Sequence, residues 1–173
     1  MKTLGKTGLW ALAALLVFFF ARKVYFTPSV GKNQPAHDFT ATRLDGRTFS
    51  LSDLRGNFVY LEFWGSWCAP CRTESASVNF LHEQFPDLQM VSVALERDSA
   101  AWRRGIAQLG KTWPHQVMDQ TESLRFLNGP VSDLYGVNKV PTHILIDPEG
   151  RVVSADENLY EVQRILEFHA RRD

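Results

Sequence analysis

At 173 residues the chain suits one ordinary domain, with some length left for a tail or an anchor. Hydrophobic residues at 45% and charged ones at 22% are the proportions of a folded globular protein and exclude a disordered one. The formal net charge is zero, but Lys2, Lys6, Arg22 and Lys23 all come early, so residues 27–173 hold 15 bases against 19 acids, a balance that argues against nucleic acid as a partner.

Thr7 to Ala21 is uncharged and nearly all apolar, and it comes after a basic start. Fifteen helical residues reach only ~22 Å, short of a ~30 Å hydrocarbon layer. With Arg22 and Lys23 snorkelling and Val24, Tyr25 and Phe26 added, the reach becomes about 30 Å and an N-terminal hydrophobic anchor helix is feasible over residues 1–26. A cleaved signal peptide has a similar pattern, but no clean Ala-x-Ala site comes after the run. A core helix would need a polar face, which this run lacks. The anchor reading places the remainder outside the cytoplasm, because N-terminal targeting segments carry the downstream chain across the membrane. Residues 27–35, polar with two prolines and a glycine, then read as a linker, and residues 36–173 as the domain.

Asp45-Gly46 between two alternating runs predicts a hairpin of short antiparallel strands. Asn57 to Phe63 predicts a buried central strand, and Ala69 to Phe85 a helix stopped by Pro86. Leu88 to Leu95 reads as a second buried strand. Asp98 or Ser99 can cap a helix that runs to Leu109 and ends at Gly110. His115 to Met118 is a short strand, and Thr142 to Ser154 a hairpin turning at Pro148-Glu149-Gly150. Leu159, Val162, Ile165, Leu166 and His169 share one face of a last helix. Strands alternating with helices predict an α/β sandwich of one sheet flanked by helices.

The chain has only two cysteines, Cys68 and Cys71, which excludes a disulfide-rich scaffold and leaves a redox pair, half a metal site or a small structural bridge. They sit where the central strand hands over to a helix. At a helix N-terminus, unsatisfied N–H groups favour thiolate over thiol, lowering a cysteine pKa to roughly 3.5–7.5 from ~8.5. Cys68 is then the attacking sulfur, and Cys71, a turn further on, resolves the mixed disulfide. Pro70 suits the first helical turn, where its missing N–H costs nothing. A zinc site lacks a second ligand pair, since the histidines are scattered. A purely structural bridge would close too small a loop to constrain the unfolded chain much.

The segment Phe63-Trp64-Gly65-Ser66-Trp67-Cys68-Ala69-Pro70-Cys71-Arg72 resembles the active-site strand and turn of the thioredoxin superfamily, specifically its TlpA-like, membrane-anchored, extracytoplasmic thiol-disulfide oxidoreductases. Val140-Pro141-Thr142 and the hairpin after it resemble the cis-proline loop of the same family, and the match spans about residues 35–170. The resemblance implies a thioredoxin-like three-layer sandwich with a central mixed sheet. It implies a cis Pro141 beside the cysteines, with Val140, Trp67, Ala69 and Pro70 meeting an extended client. Glu62 stands where thioredoxins keep a buried acid that shuttles the proton of the resolving cysteine, and an apolar strand would raise its pKa. Glu74 matches an acid that TlpA-like reductases hold beside the site; both carboxylates have a bland alternative as solvated surface. Trp64 reads as core packing. His143 invites a copper reading with the cysteines, but one imidazole defines no site and a plain strand position is favoured. One departure is Ala76, where the family has a proline that kinks the active-site helix.

The expected activity is reduction of disulfides in extracytoplasmic clients, cytochrome precursors among them, by an enzyme whose redox group is its own Cys68–Cys71 disulfide, without metal or other cofactor. Its expected partners are disulfide or dithiol clients, a membrane electron donor and the membrane itself, which raises local concentration. The rivals are a disulfide-forming oxidase, a metallochaperone or binding module without turnover, and a thiol peroxidase. The last is disfavoured by Gly65, which stands three before Cys68 where a peroxidatic loop has a hydroxyl residue.

Overall fold

A computed structural model describes residues 6–25, 30–124, 127–155 and 158–171. Helix α1 (Lys6–Tyr25) is followed by strands β1 (Thr40–Thr42) and β2 (Thr48–Ser50), which pair antiparallel as the expected hairpin. A short 3-10 turn over Leu51–Leu54 leads into β3 (Val59–Trp64), and then come α2 (Ala69–Gln84), β4 (Gln89–Glu96) and α3 (Ser99–Leu109). β5 (His115–Gln120), α4 (Pro130–Leu134), β6 (Thr142–Ile146), β7 (Val152–Ala155) and α5 (Leu159–Ala170) complete the chain.

The main sheet has the strand order β5-β4-β3-β6-β7. β3, β4 and β5 run parallel, which requires the crossovers that α2 and α3 supply, whereas β6 and β7 return antiparallel through a tight turn. Both faces of β3 are covered, which is why the strand reads as an unbroken buried run. Val59, Leu61 and Phe63 pack with Val91, Val93, Ile144 and Ile146 toward the β1–β2 hairpin and α4. Tyr60 and Trp64 point the other way, toward α2, α3 and α5. The result is the thioredoxin-like layered architecture, with the Cys68–Cys71 segment at the carboxyl end of the central strand.

Local chemistry sets the helix ends. Asp98 caps α3 by accepting from the N–H groups of Ala100 at 2.8 Å and Ala101 at 3.2 Å. Gly110 closes the same helix at φ 64°, in the left-handed region that a side chain would strain. α2 runs unbroken through Ala76, as a helix without an interior proline should.

Two expectations about the N-terminal region change. α1 forms over 20 residues and exposes Trp10, Leu16, Phe18 and Phe20. Among the described residues, however, no helix is long and apolar enough to cross a membrane. Its uncharged run spans only ~22 Å at the helical rise. The stretch read as linker also docks earlier than Pro35: Val30 is buried in the core, and the Asn33 N–H donates to the Val152 carbonyl at 2.7 Å. Residues 27–29 of that stretch lie outside the described residues.

Candidate active site

Cys68 is the N-cap of α2, placed by the last residues of β3 and a turn that closes with Cys68 N–H donating to the Gly65 carbonyl at 3.1 Å. The two sulfurs are bonded, S–S 2.08 Å. The Cys71 N–H donates to Cys68 Sγ at 3.1 Å, so an amide of the helix's first turn points at the sulfur where negative charge would form. Both cysteines are nearly covered, Cys68 at 3% and Cys71 at 2% exposure, among Trp64, Ala94, Trp102 and Ile106.

The preceding turn is fixed from both sides. Ser66 N–H donates to Glu96 Oε1 at 2.5 Å, and its carbonyl accepts from Arg72 at 3.0 Å. Trp67 reaches back to the end of β4, with Nε1 donating to the Leu95 carbonyl at 2.9 Å, yet remains 38% exposed. Ala69 and Pro70 are exposed on the first turn of α2. From the far end of the chain, the Val140–Pro141 peptide bond is cis, and the Val140 carbonyl oxygen lies 3.6 Å from Cys68 Sγ. Fold topology thus brings together Trp67, Ala69, Pro70, Val140 and Pro141 around the sulfur pair.

The two carboxylates are placed differently from each other. Glu62 is buried beneath α2, but not in apolar surroundings as its strand suggested. Lys111 Nζ donates to both of its oxygens, at 2.8 and 2.7 Å, and Ser92 Oγ donates to Oε2 at 2.6 Å. Trp113 Nε1 in turn donates to Ser92 Oγ at 3.0 Å, and the Lys111 ammonium sits over the Trp64 ring, 4.8 Å from its centroid. Trp64 is core, as read, but also shields this ion pair. Glu74, on the α2 turn after Cys71, is neither solvated surface nor buried: its side chain is 36% exposed and Oε2 lies 3.2 Å from His143 Nε2.

Lys111, Ser92, Trp113 and Glu96 were not singled out from the sequence. Lys111 comes directly after the helix stop at Gly110 and precedes a largely buried strand, a place where a lysine must either reach out or find a buried acid. His143 is wholly buried on β6 with Glu74 and Tyr60 as partners, not with the cysteines; among the described residues no group of three or more acids, histidines and cysteines could hold a metal ion.

The chain is similar to known proteins over most of its length. The sequence profile of the AhpC/TSA family matches residues 32–155. The thiol-disulfide oxidoreductase ResA of Bacillus thuringiensis strain Al Hakam is 34% identical over 137 residues, covering 78% of this chain and 72% of the relative. Among solved structures, a putative thiol:disulfide interchange protein DsbE from Chlorobium tepidum superposes with TM-score 0.67 at 29% identity, over 80% of this chain and 95% of that one. The thioredoxin domain of a thiol-disulfide oxidoreductase from Bacteroides vulgatus gives TM-score 0.68 at 27% identity, over 80% and 99%. With a bonded Cys68–Cys71 pair at a helix start and relatives of this kind across most of its length, the chain belongs to the AhpC/TSA family of the thioredoxin superfamily, among its thiol-disulfide oxidoreductases.

Proposed function

We propose that the chain works as an extracytoplasmic dithiol reductase of client proteins, held at the membrane by α1 and using no redox group beyond its own cysteines. The observation that carries the reading is the sulfur pair at the start of α2 facing the Val140 carbonyl, with exposed Trp67, Ala69 and Pro70 offering a client its landing surface.

In the reduced enzyme the Cys68 thiolate attacks one sulfur of a client disulfide, forming a mixed disulfide and releasing a client thiolate that takes up a proton. Cys71 then gives up its proton and attacks Cys68 Sγ, which re-forms the internal disulfide and releases the second client thiol. The client gains two electrons and two protons, one proton released by Cys71 by way of its acceptor and the other taken from solvent, since Cys68 starts as the thiolate. Glu74 accepts the Cys71 proton in this reading. It lies on the same helix face as Cys71, i to i+3, and reaches solvent. Glu62 is a poor acceptor, because protonating it would leave Lys111 buried and unpaired; it serves as a fixed charge under the helix. A membrane donor re-reduces the pair.

The apolar residues that α1 exposes on all sides, from Trp10 to Phe20, support burial of that helix in a bilayer. Cytochrome precursors fit as clients because c-type haem attachment needs both cysteines of a C-x-x-C-H segment reduced.

Insulin reduction by the purified full chain with dithiothreitol tests the enzymatic claim. Cys68→Ser is expected to bring the rate to background, and Cys71→Ser to accumulate a mixed disulfide on Cys68. Equal rates for Cys68→Ser and the unmodified chain would show a binding module. Equilibration with glutathione buffers should leave the pair mostly oxidised where thioredoxin-like donors are; a strongly oxidising potential would mark a disulfide-forming oxidase instead.

A further inference from the structure

His143 takes no part in the thiol-disulfide cycle itself, yet a fully buried imidazole needs partners for both ring nitrogens. Tyr60 Oη lies 2.6 Å from Nδ1 and Glu74 Oε2 lies 3.2 Å from Nε2. The Tyr60 ring also stacks on the imidazole, centroids 5.5 Å apart and planes 15° from parallel.

Burial, and then the negative charges of Glu62 and Glu74, push the Tyr60 hydroxyl well above its ordinary range, so it keeps its proton and can donate to Nδ1. That assignment leaves the imidazole proton on Nε2, aimed at Glu74. A protonated ring would also donate from Nε2, so Glu74 receives the bond in either state. The charged groups around the ring are Glu74 from α2 and Glu62, directly across the β3–β6 pair and neutralised by Lys111.

A glutamate on a helix surface ordinarily samples many rotamers. Here the carboxylate meets an imidazole that is locked by a stacked ring on one side and a short hydrogen bond on its other nitrogen. The contact ties the turn of α2 just after Cys71 to the strand that leaves the Val140–Pro141 loop.

We propose that His143, backed by Tyr60, is a positioning residue for disulfide reduction: it holds the Glu74 carboxylate where it takes up the Cys71 proton. The proposal rests on the role given to Glu74 above.

The test is insulin reduction by the purified full chain across the neutral and alkaline pH range. Glu74→Gln should slow the reaction about 10²-fold. His143→Leu should slow it by roughly tenfold or more and move the pH midpoint in the same direction as Glu74→Gln, because a misplaced acceptor acts as a missing one. His143→Gln, whose amide N–H can still reach the carboxylate, should restore most of the rate. Glu74→Gln/His143→Leu should be no slower than Glu74→Gln alone. The tether is overturned if His143→Leu slows the Glu74→Gln enzyme by the same factor as the unmodified one, or leaves the pH profile in place. An unaltered rate and profile in Glu74→Gln alone would instead remove the Glu74 role, and this proposal with it. Should His143→Leu fail to fold, Tyr60→Phe keeps the stacked ring and removes only the hydroxyl; it is expected to shift the profile the same way, and an unshifted profile overturns the proposal.

Discussion

At the scale of single residues, the site joins the cysteine turn and the cis-proline loop to a buried ion pair, Glu62 with Lys111. Cys68, Cys71 and Pro141 are legible because each sits in a short motif whose local geometry is dictated by the backbone. Lys111 is not, since it reaches Glu62 across 49 residues of chain and nothing near either residue names the other. The same pairing overturns the expectation of an acid in apolar surroundings. It also carries a cost: two charges leave water, and each depends on its partner. Lys111→Met strands a buried carboxylate and is expected to destabilise the fold by about 3–5 kcal/mol, read from denaturant midpoints. Glu62→Met/Lys111→Met removes both charges and should recover most of that loss. A single-variant penalty below roughly 1 kcal/mol would show that the pair is not carrying buried charge.

The elements around the site are rigid where they touch the cysteine turn. α3 crosses behind it at Gly105, where a Cβ would meet Ser66 Cβ at 2.8 Å and the Trp64 ring at 3.1 Å. Neither neighbour can yield, because Ser66 is hydrogen-bonded through both backbone groups and Trp64 is enclosed. Gly105→Ala is therefore expected to cost about 1–3 kcal/mol by thermal unfolding and to slow client reduction by displacing the turn. A variant as stable and active as the unmodified chain would mean that α3 simply slides away. Strands and long helices were legible from period and punctuation, down to the stop at Gly110 and a cap at Asp98 or Ser99, of which the fold uses Asp98. α4 was not: five residues are too few for any periodicity, although Gly129-Pro130 does carry the preference for proline at a helix start. The hairpin β6–β7 was readable because its turn is local, whereas the pairing of β6 with β3 has no local signature.

For the whole molecule, the matter of most consequence is where the domain resides. The exposed apolar residues of α1 predict that the full chain partitions into the membrane fraction and resists alkaline washing, and that deleting residues 1–26 releases it. Labelling of reduced Cys68 by an impermeant thiol reagent in intact cells would place the domain outside; full-length protein in the soluble fraction would remove the anchor.

The sulfur of Cys68 meets the Val140 carbonyl 72 residues further along the chain. A ribosome adding about 5–20 residues per second needs several seconds to make that interval. Throughout it the nascent cysteines are already made, while the loop and strand that will roof them are not. Until that loop closes over it the sulfur pair lacks the cover it has in the folded domain, so newly made chain is expected to exchange with small thiols faster than the finished enzyme.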